Sequence, residues 1–415
     1  MKRTEQIWIN GTDNLRNLTR LSKNLYNEAN YIIRQEMFNT NRWIRYNELN
    51  ALLKSSENYS SLPAQTSQQI LILLDKSWKS FFKAHKSWKK QPEKFKGRPK
   101  LPKYKNKEGE HVIVFTNQQC TIKNGNLRFP KLMDMNIKTR LTDDTNIREV
   151  RILPKGIGYE VEKVYEKELK RTENEKPDED IKQQRIIGID IGVRNLVTIG
   201  NNISEEGIAV RTGLLKSINQ FYNKTNAELK SINDLQENKL NTKRMQRLFL
   251  KRNRKIKDVM HKTSRAIINH ALSMGIDTIV IGHNKEWKQS SNMGRKNNQN
   301  FVQIPFNMLI QQIQYKAEEH NITVFIQDES YTSKCSFLDN ESIEHHNIYA
   351  GKRVKRGIFR SNNGNLIHAD LNASYNIIKK AIPEAYANGI EGMGLYPRSL
   401  NIPQFCGLIS SKGEC

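Results

Sequence analysis

The sequence predicts an α/β domain preceded by an all-β part and a helical part, and three observations predict it. Residues 13–90 carry apolar positions at helical spacing, residues 110–165 carry short alternating runs between turn signals, and from residue 185 onward apolar strands alternate with amphipathic helices. A chain of 415 residues has the length of two to three domains and can bury a real core.

A short strand, Gln6 to Asn10, opens the chain, and a turn at Gly11 to Asp13 leads into helices that run to about residue 90. There Ile70, Leu74, Trp78, Phe81 and Trp88 recur at steps of three and four, while Lys76, Lys79, Lys83, Lys86 and Lys90 recur on the opposite side. One face packs and the other is cationic. The stretch QPEKFKGRPKLPKYKNK cannot be helical, because Pro92, Pro99 and Pro102 break any i to i−4 ladder. It reads as a basic, proline-stiffened connector. From Lys76 to Lys107 thirteen Lys or Arg, Arg98 among them, face one acid, Glu93. So lopsided a run, interleaved with Trp and Phe, predicts a phosphate-binding surface rather than a merely solvated face.

Next come the runs Val112 to Phe115, Gln119 to Ile122, Leu127 to Phe129, Glu149 to Ile152 and Tyr159 to Tyr165, separated by Asn-Gly, Pro-Lys and Gly-Ile-Gly turns. They predict a small antiparallel barrel or sandwich, completed by the first strand, so that the helices form an insertion. A charged linker closes this half.

The second half opens with RIIGIDIGVRNLVTIG: an apolar strand ending in Asp190, a tight turn using Gly192, and a second strand. A carboxylate at the end of a buried strand is costly without a cation or a donor. Asp190 is therefore either a site residue or a turn Asp satisfied by backbone amides. A third strand, Ile208 to Arg211, precedes a long helical region with Leu248, Ile256, Val259, Thr263, Ile267 and Ala271 on one stripe. Beside that stripe run Arg244, Arg247, Lys251, Arg254, Lys255, Lys262 and Arg265; ten basic residues lie between Lys243 and Arg265 against Asp258 alone. A salt-bridged helix would alternate its charges, so this face is expected to follow a nucleic-acid backbone. His261, on the same helix, reads as a backbone contact or a packed imidazole. The remaining order is a strand (Asp277 to Ile281), a helix started by Pro305, a strand (Ile322 to Gln327) ending in Asp328-Glu329-Ser330, a basic loop with GKRVKRG, and a helix beginning at Asp370 with Leu371, Tyr375 and Ile378 inward. That is the order of a ribonuclease H-like fold, in which carboxylates on separate elements converge at one rim of the sheet. Alone, Asp370 is equally read as a helix N-cap.

Charge narrows the partners. Lys and Arg total 68 against 43 acids, a formal charge of +25. An excess of this size favours a polyanion, because basic side chains release counterions from phosphates. The longest apolar runs, Ile70 to Leu74 and Thr278 to Ile281, are far too short to span a bilayer. The start has no apolar core of the signal-peptide type, so a cytoplasmic, nucleoid-associated protein of a prokaryote is expected, with no membrane partner. Cys120, Cys335, Cys406 and Cys415 lie far apart without a CxxC, against both a disulfide scaffold and a four-thiolate zinc site.

At this point the motifs carry a resemblance. IGIDIGVRNL, DESYTSK, GKRVKRG and ADLNASYNI resemble the split RuvC nuclease motifs of the TnpB family, the compact RNA-guided nucleases of insertion sequences and ancestors of type V CRISPR effectors. LPAQTSQQILILLDKSWKSFFKAHKSWKK and GRPKLPKYK resemble the same family's N-terminal half, so the likeness covers nearly the whole chain. It implies a wedge-type β-barrel (1–12 and 108–168) interrupted by a helical recognition domain with its basic connector (13–107). A linker (169–184), a first RuvC part (185–328), a loop insertion at the degenerate zinc-ribbon position (329–366), the last RuvC helix (367–385) and a tail (386–415) follow. It further implies a transposon-derived guide RNA between the lobes, a matched double-stranded DNA target beside a short flanking motif, and a monomer in preference to a dimer.

Two departures matter. Where the family's second motif carries a glutamate, TIVIGHN has Gly282. Glu329, at the end of the neighbouring strand, is the candidate replacement, since adjacent strands lie about 4.8 Å apart and a Glu spans that gap. Glu286 is its competitor. Of the family's zinc ribbon only Cys335, His345 and His346 remain in this interval, and no zinc is expected. The expected site is thus Asp190 bridging two Mg²⁺ ions, for which Mn²⁺ substitutes, with Glu329 and Asp370 on one ion each, because carboxylates suit hard divalent cations. Lys352, Arg353 and Arg356 join the two basic helices as nucleic-acid contacts; Trp287 and Phe301 are stacking candidates or core. Two other outcomes stay open: a nuclease-dead RNA-guided repressor, and a miniature type V effector nuclease.

Overall fold

The structure, a computed structural model, describes residues 2–133, 135–167, 184–236, 241–284, 294–387 and 389–410. The chain forms two compact units, Met1–Leu169 and Lys170–Cys415.

In the first unit β1 (Lys2–Ile9) is followed by helices α1 (Asp13–Thr40), α2 (Tyr46–Leu53), α3 (Glu57–Ser60) and α4 (Ala64–Lys90). Strands β2 (Ile113–Thr116), β3 (Thr121–Lys123), β4 (Asn126–Arg128), β5 (Asn136–Lys138), β6 (Ile147–Pro154) and β7 (Tyr159–Glu166) complete it. Thr12 starts α1 by accepting a hydrogen bond from the Leu15 amide, and Asn41 in the left-handed region ends it. Leu15, Leu18, Leu25, Ala29 and Ile33 of α1 meet Ile70, Leu74 and Trp78 of α4 in one core, where the Trp78 indole donates to Asn30 at 3.1 Å. The connector after α4 contains one short 3-10 turn, Pro92–Lys94, and then lies along α1. Asn27 bonds both backbone groups of Lys105, and Asn30 and Arg34 donate to the Pro102 carbonyl.

The strands of this unit form two sheets, a four-stranded antiparallel one ordered β1-β7-β6-β2 and a three-stranded one ordered β3-β4-β5. Among the described residues neither ladder returns to its own first strand. Each sheet keeps its own ladder, and hydrophobic packing joins them, with Phe115 and Leu127 in the same core.

The second unit runs β8 (Ile186–Ile191), β9 (Asn195–Asn201), β10 (Ile208–Arg211), α5 (Gly213–Leu235), α6 (Lys243–Ser273), β11 (Thr278–Gly282), α7 (Arg295–Gln303), α8 (Phe306–Glu318) and β12 (Thr323–Gln327). It continues with β13 (Lys352–Lys355), β14 (Ile358–Arg360), β15 (Leu366–His368), α9 (Ala369–Ala381), β16 (Arg398–Asn401) and α10 (Ile402–Ser410). A six-stranded sheet ordered β12-β11-β8-β9-β10-β16 forms its centre. β8 pairs parallel with β11 and antiparallel with β9, and β11 pairs parallel with β12. The interval 329–366 is not only loop, since it carries β13 and β14 of a small antiparallel sheet closed by β15. In the tail, β16 pairs parallel with β10 at the sheet edge, and α10 follows it with Phe405 buried.

Helix α9 crosses the centre of the sheet, and two glycines let it do so. A Cβ on Gly188 would lie 2.4 Å from the Ser374 carbonyl oxygen, and one on Gly200 would lie 2.6 Å from Ser374 Oγ. The Ser374 hydroxyl donates to the Gly188 carbonyl at 2.9 Å and accepts from the Gly200 amide at 2.7 Å. Gly188→Ala should therefore overpack a backbone contact that cannot yield, at about 1–3 kcal/mol. Gly213→Ala, with nothing within 4 Å of the added methyl, should be near neutral. Urea unfolding of the two variants checks this, and equal midpoints would contradict it.

Candidate active site

Three elements bring the acids to one end of the central sheet. Asp190 is the penultimate residue of β8, opposite Thr198 of β9, and Asp370 lies in the first turn of α9. Glu329 stands two residues beyond β12, in a segment pinned from several sides. Its amide donates to Asn284 Oδ1 at 3.0 Å, and its carbonyl accepts from the Thr332 hydroxyl at 2.8 Å. From α9, Asn376 donates to the Thr332 and Cys335 carbonyls, Asn372 donates to the Cys335 carbonyl, and Lys380 donates to the Ser330 carbonyl and Asp328. These buried amides, spaced four apart in LNASYN, hold the segment that carries Glu329 to the helix that carries Asp370.

The register explains the Gly282 departure. Ile281 pairs with Ile189, so position 282 follows beside Asp190 at the same end of the sheet. A Cβ built on Gly282 would lie 3.2 Å from Glu329 Oε2. The Ile377 side chain, 2.4 Å away at Cδ1, fills the space that a side chain at 282 would need, and the Glu329 carboxylate borders it. Glu286 and Trp287 lie outside the described residues.

The electrostatics of the acids agree with their proximity. Burial pushes the Asp190 carboxyl well above the usual range, and the charges of Asp370 and Glu329 add to the shift; Arg353 opposes it. Burial, with Asp328 beside it, pushes Glu329 up to about 7. Asp370 is held otherwise: Asn195 Nδ2 donates to its Oδ2 at 2.9 Å, and the Arg353 guanidinium lies 3.6 Å from its Oδ1. Its side chain is thus turned towards these partners, and His368, the N-cap residue of α9, makes no side-chain cap bond either. A cavity of about 430 Å³ opens here, lined by Asp190, Gly192, Val193, Arg194, Arg353, Arg356, Gly357, His368 and Asp370. Among the described residues no three His, Cys, Asp or Glu side chains stand ready as a metal ligand set. The donor chemistry nonetheless fits a hard cation, because the charged form of Asp190 is destabilised by two neighbouring carboxylates, and a divalent ion relieves such repulsion.

The remaining site expectations distribute as follows. Arg353 and Arg356 share the cavity of Asp190 and Asp370, and Lys352 is exposed at the start of β13. On α4 the side chains of Lys76, Lys79, Lys83, Lys86 and Lys90 are exposed, with Lys79 on the buried Asp75 at 2.6 Å, and Arg98 lies over the Trp88 ring at 5.8 Å. On α6 Arg244, Arg247, Lys251, Arg254, Lys255 and Arg265 are exposed, the last beside Glu319 at 3.6 Å. Phe301 is buried against Phe306 and is core, not a stacking surface. His261 is partly buried near the Tyr315 hydroxyl. Cys335 lies near the Glu344 carbonyl, His345 against Tyr331, and His346 near Ser342 and Glu341. Sequence reasoning missed Asn195, Arg194 and His368; only the polar pair in the turn GVRN hinted at the first two.

A basic protein whose mixed α/β sheet gathers carboxylates and arginines at one end belongs among the proteins that handle nucleic-acid backbones. The comparisons narrow that class. Residues 169–288 match the family OrfB_IS605, described as a probable transposase, and residues 306–377 match the Cas12f1-like TNB domain. The chain is 25% identical over 406 residues to the TnpB-like protein ORF457 of Acidianus two-tailed virus, covering 89% of this chain and 83% of that one. Its fold is similar to that of a chain in the cryo-EM structure of a Cas12f1-sgRNA-target DNA complex, with a TM-score of 0.52, 14% identity, and coverage of 87% and 81%. These matches support the resemblance of the chain to the TnpB family.

The raised Glu329 gives a pH signature. Native Glu329 keeps its proton up to about 7, whereas an unfolded glutamate loses it near 4.5, so between these values the unfolded state binds fewer protons. Stability contributed by the protonated native group is complete below that window and is lost as pH rises through it. In metal-free buffer the unfolding midpoint should fall across the window, and Glu329→Gln should flatten that fall. An unchanged slope in the variant would contradict the assignment.

Proposed function

We propose that the chain is an RNA-guided DNA endonuclease of an insertion sequence, which binds a transposon-derived guide RNA and cuts matched double-stranded DNA beside a short flanking motif. The observation that carries the reading is Glu329 Oε2 within 3.2 Å of where a Cβ at position 282 would lie, beside a strand-end Asp190 whose charged form two other acids destabilise. In this reading the second unit holds a ribonuclease H-like RuvC domain in its parts 185–328 and 367–385, with 329–366 inserted between them. The first unit then combines a wedge-type barrel (1–12 and 108–168) with the recognition helices and connector (13–107).

Asp190 would hold both of two Mg²⁺ or Mn²⁺ ions, with Glu329 and Asp370 on one each. Bound there, the ions supply Lewis-acid stabilisation and a water activated for in-line attack on a phosphodiester. The chain's own residues do the rest. Asn195 orients Asp370 through its hydrogen bond. Arg353, on Asp370 in the free protein, is the cation nearest a phosphate entering the cavity, and its fork suits phosphate oxygens. Guide pairing supplies sequence specificity, while the exposed lysines of α4 and the arginines and lysines of α6 grip backbones by charge.

The test uses the guide-RNA complex, a supercoiled plasmid target and Mg²⁺, with binding and cutting measured separately. Asp190→Ala and Glu329→Ala should slow cutting at least about 10²-fold with affinity nearly unchanged, as loss of transition-state stabilisation requires. Glu286→Ala should cut like the parent. A dead Glu286→Ala beside an active Glu329→Ala would overturn the relocation, and a parent that binds and opens its target without cutting would favour the repressor reading.

A further inference from the structure

We propose that Arg194, Lys216 and Arg356 form a phosphate site for the strand being cut, one that holds a phosphate next to the scissile one and so draws the strand across the acids. This deepens the nuclease reading and rests on it. Three elements remote in sequence supply one cation each: the turn between β8 and β9, the first turn of α5, and the turn between β13 and β14.

Hydrogen bonds fix these three elements to one another's neighbourhood. The Thr212 amide and hydroxyl donate to the Arg194 carbonyl at 3.0 and 2.9 Å, which ties the β8–β9 turn to the start of α5. The Ala369 amide donates to the Gly357 carbonyl at 3.0 Å, which ties the basic hairpin to the start of α9. Gly357 has φ +84°, a left-handed turn conformation that glycine adopts without cost, and it lets the hairpin reverse there. A Cβ placed on it would lie 3.7 Å from both Arg194 Nη1 and His368 Nε2, so the Arg194 guanidinium reaches the residue that follows Arg356. Arg194 and Arg356 line the cavity of Asp190 and Asp370.

The cluster lacks an anion. Arg353 already faces Asp370, but among the described residues the side chains of Arg194, Lys216 and Arg356 meet no carboxylate and no hydrogen-bond acceptor. Burial, with the charges of Arg356 and Arg194 added, holds the Lys216 ammonium below the ordinary lysine range. Cations gathered in this way without a counter-charge repel one another, and a bound anion relieves the repulsion. Two guanidinium forks and an ammonium suit phosphate oxygens and ignore base identity. The scissile phosphate would lie at the acids, where metal ions would offset its charge, and Arg194 and Arg356, which line the same cavity, would take its neighbour.

The test is a phosphate-neutralisation scan. In the guide-RNA complex, cutting is measured on DNA in which each phosphate flanking the cut is replaced in turn by a methylphosphonate, for the parent and for Arg194→Ala/Lys216→Ala. At one flanking phosphate the parent should lose at least about tenfold in rate, as loss of a charge-assisted contact implies. The double variant should be slow already and should lose less than about twofold more at that same phosphate, since the contact is gone. Arg194→Lys, which keeps the charge, should recover part of the rate, and far-ultraviolet circular dichroism should show all variants folded. A parent that cuts, together with losses that multiply at every phosphate, overturns the phosphate site and leaves the nuclease reading standing. A parent that binds its target and cuts nothing overturns both.

Discussion

The placement of the acids depends on one packing constraint: helix α9 can lie directly on the two central strands only because residues 188 and 200 have no side chains. Ser374 then bonds the Gly188 carbonyl and the Gly200 amide, and the helix is locked in rotation and in height. With that rotation set, Asp370 in the first turn falls beside Asp190 at the end of β8. The same helix turns Asn372 and Asn376 towards residues 332–337 and so carries Glu329 into place. Buried polar groups are costly unless paired, and here the amide donors of Asn372 and Asn376 fix the spacing of charges that repel one another.

Repulsion between those charges is the second element of the account. Asp190 is disfavoured as a charged group by burial and by two acids, and Arg353 opposes this. Arg194 and Arg356 line the same cavity, and both act on the charge of Lys216; among the described residues the three side chains have no ion-pair partner. Each half is frustrated alone: one requires cations and the other requires an anion. In the proposed reading a metal-bound phosphodiester strand would satisfy both at once, so that the fold is preorganised for it.

The sequence made the long, strongly patterned parts legible. Helices α1, α4 and α6 follow from apolar spacing of three and four, and β8, β9 and β11 from unbroken apolar runs bounded by Gly and Asp. Asp190, Glu329 and Asp370 could be picked out because each follows or starts such an element. The short strands were not legible: β13, KRVK, has all four side chains exposed, so no buried alternation marks it. β16 is recognisable only by its partner β10, more than 180 residues away in the chain. Arg194 and Lys216 were hidden for another reason. They sit on elements that only the folded chain brings together, through the Thr212 bonds to the Arg194 carbonyl.

Everything functional rests on divalent ions being held by Asp190 together with Glu329 and Asp370. The most direct measurement is a crystal of the protein soaked in Mn²⁺ and recorded at the manganese absorption edge. The account predicts anomalous density bonded to Asp190 and shared with Glu329 and Asp370, with Arg353 displaced from Asp370. Density at other residues alone, or none at a concentration that supports cutting, would contradict it.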